Sequence, residues 1–303
     1  MKSPKLLTLA ATAALITSAS ASVTIDWVNV GNPGNAADTT GYGAVGYSYQ
    51  IGKYEVTNAQ YGAFLNAKAK TDSYGLYNTN MSDSGITRTS SSGSYNYSVT
   101  TALANRPVAY VSWFDAARFA NWLANGQGSG STETGAYTLN GSTSDVNFTK
   151  NAGAQVYIPT EDEWYKAAYF NGANSTYSLY PNGQNSITTV DANYDFSVGS
   201  TTNVGSYSGD PSMYGTFDQG GNVWEWNDAV IGSSRGIRGG SYLMFDLGLA
   251  SSFRDGASVP SYEDGLNGFR LASVEGFTSA VPEPSSLVLT MLASGVMLIR
   301  RKR

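Results

Sequence analysis

The chain of 303 residues contains neither cysteine nor histidine. Without cysteine it has no disulfide framework, no thiolate nucleophile and no thiolate metal site. Without histidine it lacks the commonest metal ligand, the usual general base and any Ser-His-Asp arrangement. Zinc, haem and non-haem iron sites are therefore not expected, because their usual ligands are missing.

Charged residues are also scarce, at 14% of the chain, whereas 41% of the residues are apolar and tyrosine (21) and glycine (34) are abundant. This composition provides a hydrophobic core and favours strands, turns and irregular loops over long helices. No internal repeat and no change in composition divides residues 22–277. The sequence therefore predicts a single domain over that range.

The first 21 residues have the pattern of a secretory signal peptide. Lys2 and Lys5 precede an apolar run over residues 6–16, and the small residues Ala19-Ser20-Ala21 follow it. These are the charged, apolar and cleavage regions of such a peptide. We expect cleavage before Ser22 and export through the inner membrane.

Residues 278–303 combine three features in a fixed order. Pro282-Glu283-Pro284 precedes an apolar stretch over 287–299, and four basic residues at 300–303 end the chain. This order resembles the PEP-CTERM sorting signal of exported bacterial proteins. The resemblance implies a short transmembrane helix that serves as a transient inner-membrane anchor and is cut by an exosortase-type enzyme.

The sorting-signal resemblance also implies a final location. It places the protein at the cell surface, in the outer membrane or outside a Gram-negative cell, often in an exopolysaccharide matrix. The apolar stretch is about 20 Å long as a helix against roughly 30 Å of hydrocarbon, which is short for a permanent span. An ordinary C-terminal membrane anchor remains the alternative interpretation.

Without these two ends the chain carries a net charge of about −10. An acidic domain of this kind is a poor binder of nucleic acid, because it repels the phosphate backbone. Carboxylate oxygens are suitable ligands for hard cations such as Ca²⁺. The other interpretation is that surface acidity keeps the protein soluble.

Three helix starts are marked by capping residues. Thr57 precedes a predicted helix from 58 to about 68, Ser112-x-x-Asp115 opens one that ends near 125, and Thr160-x-x-Glu163 opens one that ends near 170. The acidic run that follows Thr160 lies at the positive end of its helix, which explains it without catalysis. Short strands are expected at 23–28, 47–56, 106–111, 222–226, 236–242 and 268–274, and loops at 71–104 and 127–153.

Six sequence blocks occur in an order typical of one family. They are YEVTNAQY (54–61), RPVAYVSWFDAA (106–117), IPTEDEW (158–164), GGNVWEW (220–226), RGGSY (238–242) and GFRLA (268–272). Together they resemble the formylglycine-generating enzyme, or sulfatase-modifying factor, family over roughly residues 45–275. The resemblance implies an α+β, C-type-lectin-like fold with few short helices and strands and much irregular loop.

The catalysts of this family oxidise a substrate cysteine with copper(I) held by two cysteines that follow the RGGS block. Those positions are occupied here by Met244 and Leu249. Copper(I) needs soft donors, and one thioether and one alkyl group do not replace two thiolates. Iron-dependent relatives use a histidine cluster, which this chain lacks. The resemblance therefore argues against copper and predicts no catalytic residues.

The calcium sites of the family have better counterparts. The resemblance assigns one site to the side chains of Asp218 and Glu225 with the carbonyls of Gly221 and Val223. A second site is matched at the three consecutive residues Asn193, Tyr194 and Asp195. Carboxylates with backbone oxygens suit Ca²⁺, which we expect as a structural ion. The alternative is that Glu225 pairs inside the domain with an arginine: Arg238, Arg254 or Arg270.

Two classes of function follow. The first is an exported, non-catalytic binding or structural protein that is stabilised by calcium and acts at the cell surface or in an exopolysaccharide matrix. The tyrosine- and serine-rich loops suit adaptable recognition of a surface glycan or protein, although the same composition also occurs in plain linkers. The second is a formylglycine-generating-type oxidoreductase or another enzyme on the same scaffold, working near Ser241, Tyr242 and Met244 with acids such as Asp246 and Asp255.

Overall fold

Short helices and strands, separated by long irregular segments, make up the domain. The computed structural model describes residues 22–255 and 258–278, which belong to one unit. The predicted signal peptide and residues 279–303 of the predicted sorting tail lie outside the described residues. Within the described ranges, no helix has both the length and the apolar character needed to span a bilayer.

Three of the helices begin at capping boxes. The helices of the described chain are α1 (Asn58–Lys68), α2 (Met81–Ser84), α3 (Trp113–Ala124) and α4 (Glu161–Tyr169). In α1, α3 and α4 the hydroxyl of the capping residue accepts a hydrogen bond from the backbone N–H of the residue three positions later. The side chain of that later residue accepts a hydrogen bond from the backbone N–H of the capping residue. The reciprocal pairs are Thr57 with Gln60, Ser112 with Asp115, and Thr160 with Glu163. The predicted helix starts are thereby confirmed, because each cap satisfies two otherwise unpaired N–H groups.

Two sheets contain most of the strand pairing. The strands are β1 (Trp27–Val30), β2 (Tyr49–Gly52), β3 (Ile86–Thr89), β4 (Asn96–Val99), β5 (Val156–Tyr157), β6 (Phe170–Asn171), β7 (Thr176–Tyr177), β8 (Trp224–Ile231), β9 (Ser234–Arg238), β10 (Asn267–Gly268) and β11 (Ala272–Val274). One antiparallel sheet has the order β1-β2-β11-β5, which joins the first strands of the domain to the last. The other has the order β10-β8-β9, with β10 parallel to β8.

Aromatic rings from α1 and α3 form the centre of the core. Phe64 and Phe119 have ring centroids 5.3 Å apart, and Phe119 lies 5.5 Å from Phe269 in the segment before β11. Tyr61 and Trp122 complete this buried group. Edge-to-face and tilted packing of this kind adds to the energy of burial, so the two helices are fixed against the sheet by large rings.

The expected strand at 106–111 was wrong. The one bridge that it forms with another described residue joins Pro107 to Thr57, and the segment is otherwise irregular. Proline has no N–H for a ladder, and Tyr110 adopts a positive φ of 60° that interrupts extended backbone. The segment therefore turns away from the sheet although its apolar pattern is typical of a strand.

The predicted loop at 71–104 contains more structure than its composition indicates. It holds α2 and the hairpin β3–β4, which packs on α1. Asn66 of α1 donates from Nδ2 to the carbonyl of Tyr97 at 2.7 Å and accepts from its N–H at 3.0 Å. Gly62 permits the approach, because a Cβ there would lie 2.4 Å from Val99. The predicted loop at 127–153, in contrast, contains no helix or strand.

Candidate functional site

The GGNVWEW block enters β8 through a tight turn. Asp218, Gly221 and Asn222 all have positive φ, at 59°, 84° and 59°. Any Cβ at Gly221 would lie 2.2 Å from the carbonyl oxygen of Asn193, so glycine is required there. The N–H of Asn222 donates to that carbonyl at 2.9 Å. The turn thus brings residues of the two predicted calcium sets into direct contact.

Glu225 forms an internal ion pair with Arg270. Its two carboxylate oxygens accept from Nε and Nη2 of Arg270, each at 2.6 Å, and Oε2 also accepts from Nε1 of Trp164 at 2.6 Å. Both charged side chains are buried. Burial lowers the pKa of Arg270, but the charge and hydrogen bonds of Glu225, with the charges of Glu55 and Asp218, together raise it above its usual value, so the guanidinium stays charged. Of the three arginines that the sequence left open as partners, Arg270 is the one that contacts Glu225.

Two further carboxylates lie beside this pair. Oε1 of Glu55 accepts from Nδ2 of Asn222 at 3.0 Å, whereas its Oε2 has no hydrogen bond to any described residue and lies 4.0 Å from Arg270. Asp218 accepts from the N–H of Gly205 at 2.6 Å. Burial, and then the charge of Asp218, raise the pKa of Glu55 well above its usual range. Burial raises the pKa of Asp218 to about 6.

The carboxylates of Glu55, Asp218 and Glu225 therefore surround one guanidinium. Unpaired charge in a protein interior is strongly unfavourable, so a buried carboxylate without its own cationic partner must bind a proton or a cation. The raised pKa values of Glu55 and Asp218 indicate that protonation removes part of the excess negative charge. A bound cation would neutralise it in another way.

The second predicted calcium set adjoins the same turn but is not uniformly buried. Asn193 is buried and donates from Nδ2 to the carbonyl of Ser200, while its Oδ1 has no donor within the described chain. Tyr194 donates its hydroxyl to the carbonyl of Ile187, and the exposed Asp195 is fixed through its N–H to the carbonyl of Met244. The orphaned Oδ1 of Asn193 fits a cation ligand, because an amide oxygen is a hard donor.

The fit to calcium is weaker at Glu225. Three donors already occupy its carboxylate, which offers about four lone-pair sites in total. Val223 is fully buried beside it. Residues 22–255 and 258–278 contain no cluster of three or more histidine, cysteine or acidic side chains that would hold a metal ion. A cation at this turn would depend on oxygens other than those of Glu225, namely backbone carbonyls, the amide of Asn193 and the carboxylate of Asp218.

The two positions matched to the family cysteines lie in an apolar cluster. Leu249 is fully buried with Tyr180, Ala192 and Tyr194, and the half-buried Met244 packs against the same group. A Cβ at Gly248 would lie 3.0 Å from the Met244 methyl group, so the space between these side chains is filled. The local surroundings are those of a small hydrophobic core, with no thiolate and one thioether.

A separate polar cleft of about 220 Å³ opens beside Tyr242. Its walls include Asp83 and Ser84 at the end of α2, Arg106 and Tyr110 before α3, and Ser200. Nη1 of Arg106 donates to the hydroxyl of Ser200 at 3.3 Å. Within the described residues, neither Arg106 nor Asp83 forms an ion pair. Sequence reasoning named Tyr242 in a candidate site but missed the rest of this group, because its members come from segments that are distant in the chain.

The sequence was compared with known proteins. Residues 36–274 match the family described as "Sulfatase-modifying factor enzyme 1-like domain". The formylglycine-generating enzyme of Streptomyces coelicolor is 28% identical over 207 residues, covering 58% of this chain and 55% of that enzyme. Hercynine oxygenase of Mycobacterium tuberculosis is 27% identical over 172 residues, covering 50% of this chain and 33% of that enzyme. The chain therefore spans about half or less of the length of these curated relatives.

The solved structure of Treponema denticola variable protein 1 supports the fold. The aligned region covers 84% of this chain and 97% of the Treponema protein, with a TM-score of 0.58 and 21% sequence identity. The expected α+β, C-type-lectin-like architecture with few short elements is confirmed. Because the family match extends over most of the chain and the chain has no cysteine, the protein belongs to the sulfatase-modifying factor enzyme 1-like family and lacks the catalytic cysteines of its formylglycine-generating members.

Proposed function

We propose that this protein is a non-catalytic binding domain built on the sulfatase-modifying factor scaffold. The observation that carries the proposal is the apolar cluster around Met244 and Leu249, in which tyrosine, alanine and aliphatic side chains fill the surroundings of both positions. Such a cluster offers one thioether and no thiolate, which is a poor set of ligands for copper(I). The scaffold blocks around it are retained, so the fold is preserved without the family's redox pair.

The test measures copper binding and peptide oxidation together. The purified protein is titrated with copper(I) and incubated with a cysteine-containing sulfatase peptide under air. We expect no stoichiometric copper binding and no formylglycine by mass spectrometry. Tight binding of one equivalent with oxidation of the peptide would establish the oxidoreductase alternative. The double variant Met244→Cys/Leu249→Cys is the matched control, since it returns two thiols to the same scaffold and should gain copper affinity.

Structural calcium is a second part of the proposal. The buried excess of carboxylate around Arg270 and the orphaned Oδ1 of Asn193 support a cation near the turn at 218–222. Asp218 and Asn193 would supply side-chain oxygens, with carbonyls from the same turn. Ligand binding stabilises the folded state by RT ln(1 + [L]/Kd), about 2.7 kcal/mol at a hundredfold excess over Kd.

The calcium proposal is tested by thermal unfolding with added Ca²⁺ and with EDTA. We expect a higher Tm with calcium, and loss of that difference in Asn193→Ala. The exposed Asp145→Asn serves as the control and should keep the full difference, because Asp145 lies in the irregular segment before β5. Equal Tm values in calcium and EDTA for the natural protein would remove calcium from the proposal.

Export and surface location complete the proposal and rest on the two terminal sequence patterns. Cleavage before Ser22 and processing near Pro282 by an exosortase-type enzyme would release the domain at the cell surface or into an exopolysaccharide matrix. Intact mass of the protein recovered from the producing cells measures both cleavages. A mass equal to the full chain would contradict both.

A further inference from the structure

The polar cleft beside Tyr242 is lined by hydroxyl groups that are only partly hydrogen-bonded within the described residues. The cleft has five side-chain hydroxyl groups, from Ser84, Tyr110, Ser200, Thr201 and Tyr242. The hydroxyls of Tyr110 and Tyr242 make no hydrogen bond within the described part of the chain. Tyrosine hydroxyls that line a cavity without a partner in the protein are available to hydrogen-bond a polar ligand.

Tyr110 is held in the cleft wall in a strained conformation. Its φ of 60° lies in the left-handed region, where a bulky side chain is an outlier. The N–H of Tyr110 donates to the carbonyl of Asp264 at 2.7 Å, and its ring leaves no room at Gly265, where a Cβ would lie 2.8 Å from the hydroxyl. Backbone strain that is maintained by neighbouring contacts is typical of binding sites. The ring is thus preorganised with a free hydroxyl.

The charges of the cleft define the ligand. Among the described residues, Asp83 and Arg106 are the only charged ones that line it, and their charges cancel. The domain around it carries about −10, which disfavours a polyanion. A carboxylate that accepts, a guanidinium that donates and hydroxyls that do both are complementary to a ligand rich in neutral hydroxyl groups. A purely apolar ligand would leave all of these groups unsatisfied.

The volume of the cleft limits the size of the ligand that it can hold. Drug-sized ligands occupy cavities of about 300–1,000 Å³, whereas this cleft measures about 220 Å³. One sugar ring fits that scale, and a tyrosine ring offers a flat apolar face against which the C–H face of a sugar can pack. We propose that the cleft formed by Asp83, Arg106, Tyr110 and Tyr242 binds a single ring of a neutral saccharide. This inference rests on the proposed binding function and names its ligand class.

Two exposed phenylalanines extend the site. Phe196 and Phe245 are 56% and 62% exposed, and their ring centroids lie 6.4 Å apart. The N–H of Phe196 donates to the carbonyl of Tyr242 at 2.9 Å, which places this pair next to the cleft. An exposed aromatic pair beside a polar cleft provides a second contact for the neighbouring ring of a longer saccharide chain. Longer neutral oligosaccharides should therefore bind more tightly than single sugars.

The experiment uses saturation-transfer NMR and calorimetry on the purified protein. The probes are neutral disaccharides of hexoses, 6-deoxyhexoses and N-acetylhexosamines, with glucuronic acid disaccharides as the anionic arm. We expect saturable binding of at least one neutral disaccharide. Asp83→Asn and Arg106→Met should each weaken it about tenfold, because each removes a charged hydrogen-bonding group. Tyr110→Phe keeps the ring and should weaken it only a few-fold.

A second cavity supplies the matched control. It measures about 140 Å³ and is lined by Asp26, Thr57 and Gln60 among others. Asp26→Asn changes a carboxylate there and should leave saccharide affinity unchanged. Unaltered Tm values for the Asp83 and Arg106 variants show that they are folded.

Three results overturn the inference. They are the absence of binding across the neutral panel, binding that persists unchanged in both cleft variants, and binding confined to the glucuronic acid probes. None of these depends on copper binding or peptide oxidation, which test the proposed loss of the family's oxidoreductase activity. The two proposals therefore fail separately.

Discussion

The turn before β8 and the apolar cluster at Met244 and Leu249 lie on the same scaffold but are built differently. In the first region, Arg270 joins Glu225 to the carbonyls of Gly52 and Phe217, so one side chain connects three distant segments. In the second, apolar side chains occupy both positions matched to the family cysteines. The comparison shows that the scaffold-forming residues are kept while the positions of the redox pair have become a small core.

The ionic region around Arg270 and the apolar cluster differ in how well they tolerate substitution. A buried ion pair depends on every one of its partners, because removing one leaves a charge without compensation. An apolar cluster tolerates exchange of side chains as long as volume is conserved. Cysteines in a small pocket can therefore be replaced by methionine and leucine without loss of the fold, whereas an isolated change in the ionic region is strongly unfavourable.

The largest expected effect is at Arg270. Arg270→Met removes the partner of buried Glu225 and should lower the free energy of unfolding by about 3–5 kcal/mol, measured by urea denaturation. Even Arg270→Lys should lose at least about 2 kcal/mol, since an ammonium cannot reproduce the planar fork that binds the carboxylate and two carbonyls. A loss below about 1 kcal/mol for both variants would contradict the role given to this pair.

The apolar cluster should respond to volume alone. Leu249→Ala leaves a cavity and should lower the free energy of unfolding by about 2–5 kcal/mol, whereas Leu249→Met should lose less than about 1.5 kcal/mol. Urea denaturation measures both under the conditions used for Arg270. The contrast between tolerated Leu249→Met and damaging Arg270→Lys is the critical result, and equal losses would remove the distinction between the regions.

The helices could be predicted because their starts depend on four consecutive residues. The capping boxes at Thr57, Ser112 and Thr160 are local chemistry. The hairpin β3–β4 could not be predicted, because it is stabilised by contacts such as Asn66 with Tyr97, 31 residues apart. The expected strand at 106–111 failed for a local reason, because Pro107 has no N–H for a ladder and Tyr110 has a positive φ.

The candidate sites show the same limit. The sequence offered three arginines for Glu225, and only the folded chain selects Arg270, 45 residues away. Arg238 and Arg254 instead both bind Glu161, at 2.8 Å and 2.7 Å. The acidic run after Thr160 is structural, as predicted, but it contributes tertiary ion pairs as well as a favourable charge at the helix start. The cleft of Asp83 and Arg106 combines distant segments, which no local pattern could reveal.

Buried carboxyl groups should make stability depend on pH in the ionic region. The pKa of Glu55 is raised well above its usual range by burial and then by Asp218, with Glu225 adding to the rise and Arg270 opposing it. The folded state therefore binds a proton that the unfolded state releases at about pH 4.3. The contribution of this proton to the free energy of unfolding is fully present below about pH 4.3 and is lost as the pH rises towards the pKa of Glu55 in the folded state. The free energy of unfolding falls by up to about 1.4 kcal/mol per pH unit in that range.

Glu55→Gln tests this dependence, because the amide oxygen can still accept from Asn222. Urea denaturation between about pH 5 and 8 should give a shallower fall in this variant than in the natural protein. Leu249→Met is the control and should keep the natural slope, since it lies in the apolar cluster and changes no titratable group. An unchanged slope in Glu55→Gln would assign the effect to other buried acids, such as Asp228.

The smallest expected effect concerns the turn between the two regions. Residues 194–197 form it, with Asp195 and Phe196 at φ of 54° and 56°, and its backbone is fixed to Met244 and Tyr242. Asparagine tolerates the left-handed region better than phenylalanine, so Phe196→Asn should raise the free energy of unfolding by about 0.5–1 kcal/mol. For a domain of this size that corresponds to about 1–4 °C in Tm.

Phe196→Ala is the comparison for that change, because it removes the same ring without relieving the strain and should not raise Tm. A fall in Tm for Phe196→Asn would mean that the contact with Phe245 stabilises the fold by more than the left-handed phenylalanine destabilises it. A rise in Tm together with weaker binding of neutral oligosaccharides would mean that the left-handed phenylalanine costs more stability than its contact with Phe245 provides, and that its ring contributes to binding. In that case the strained turn reduces stability and displays an aromatic ring beside the cleft, so it would be a functional feature that joins the retained scaffold to the altered pocket.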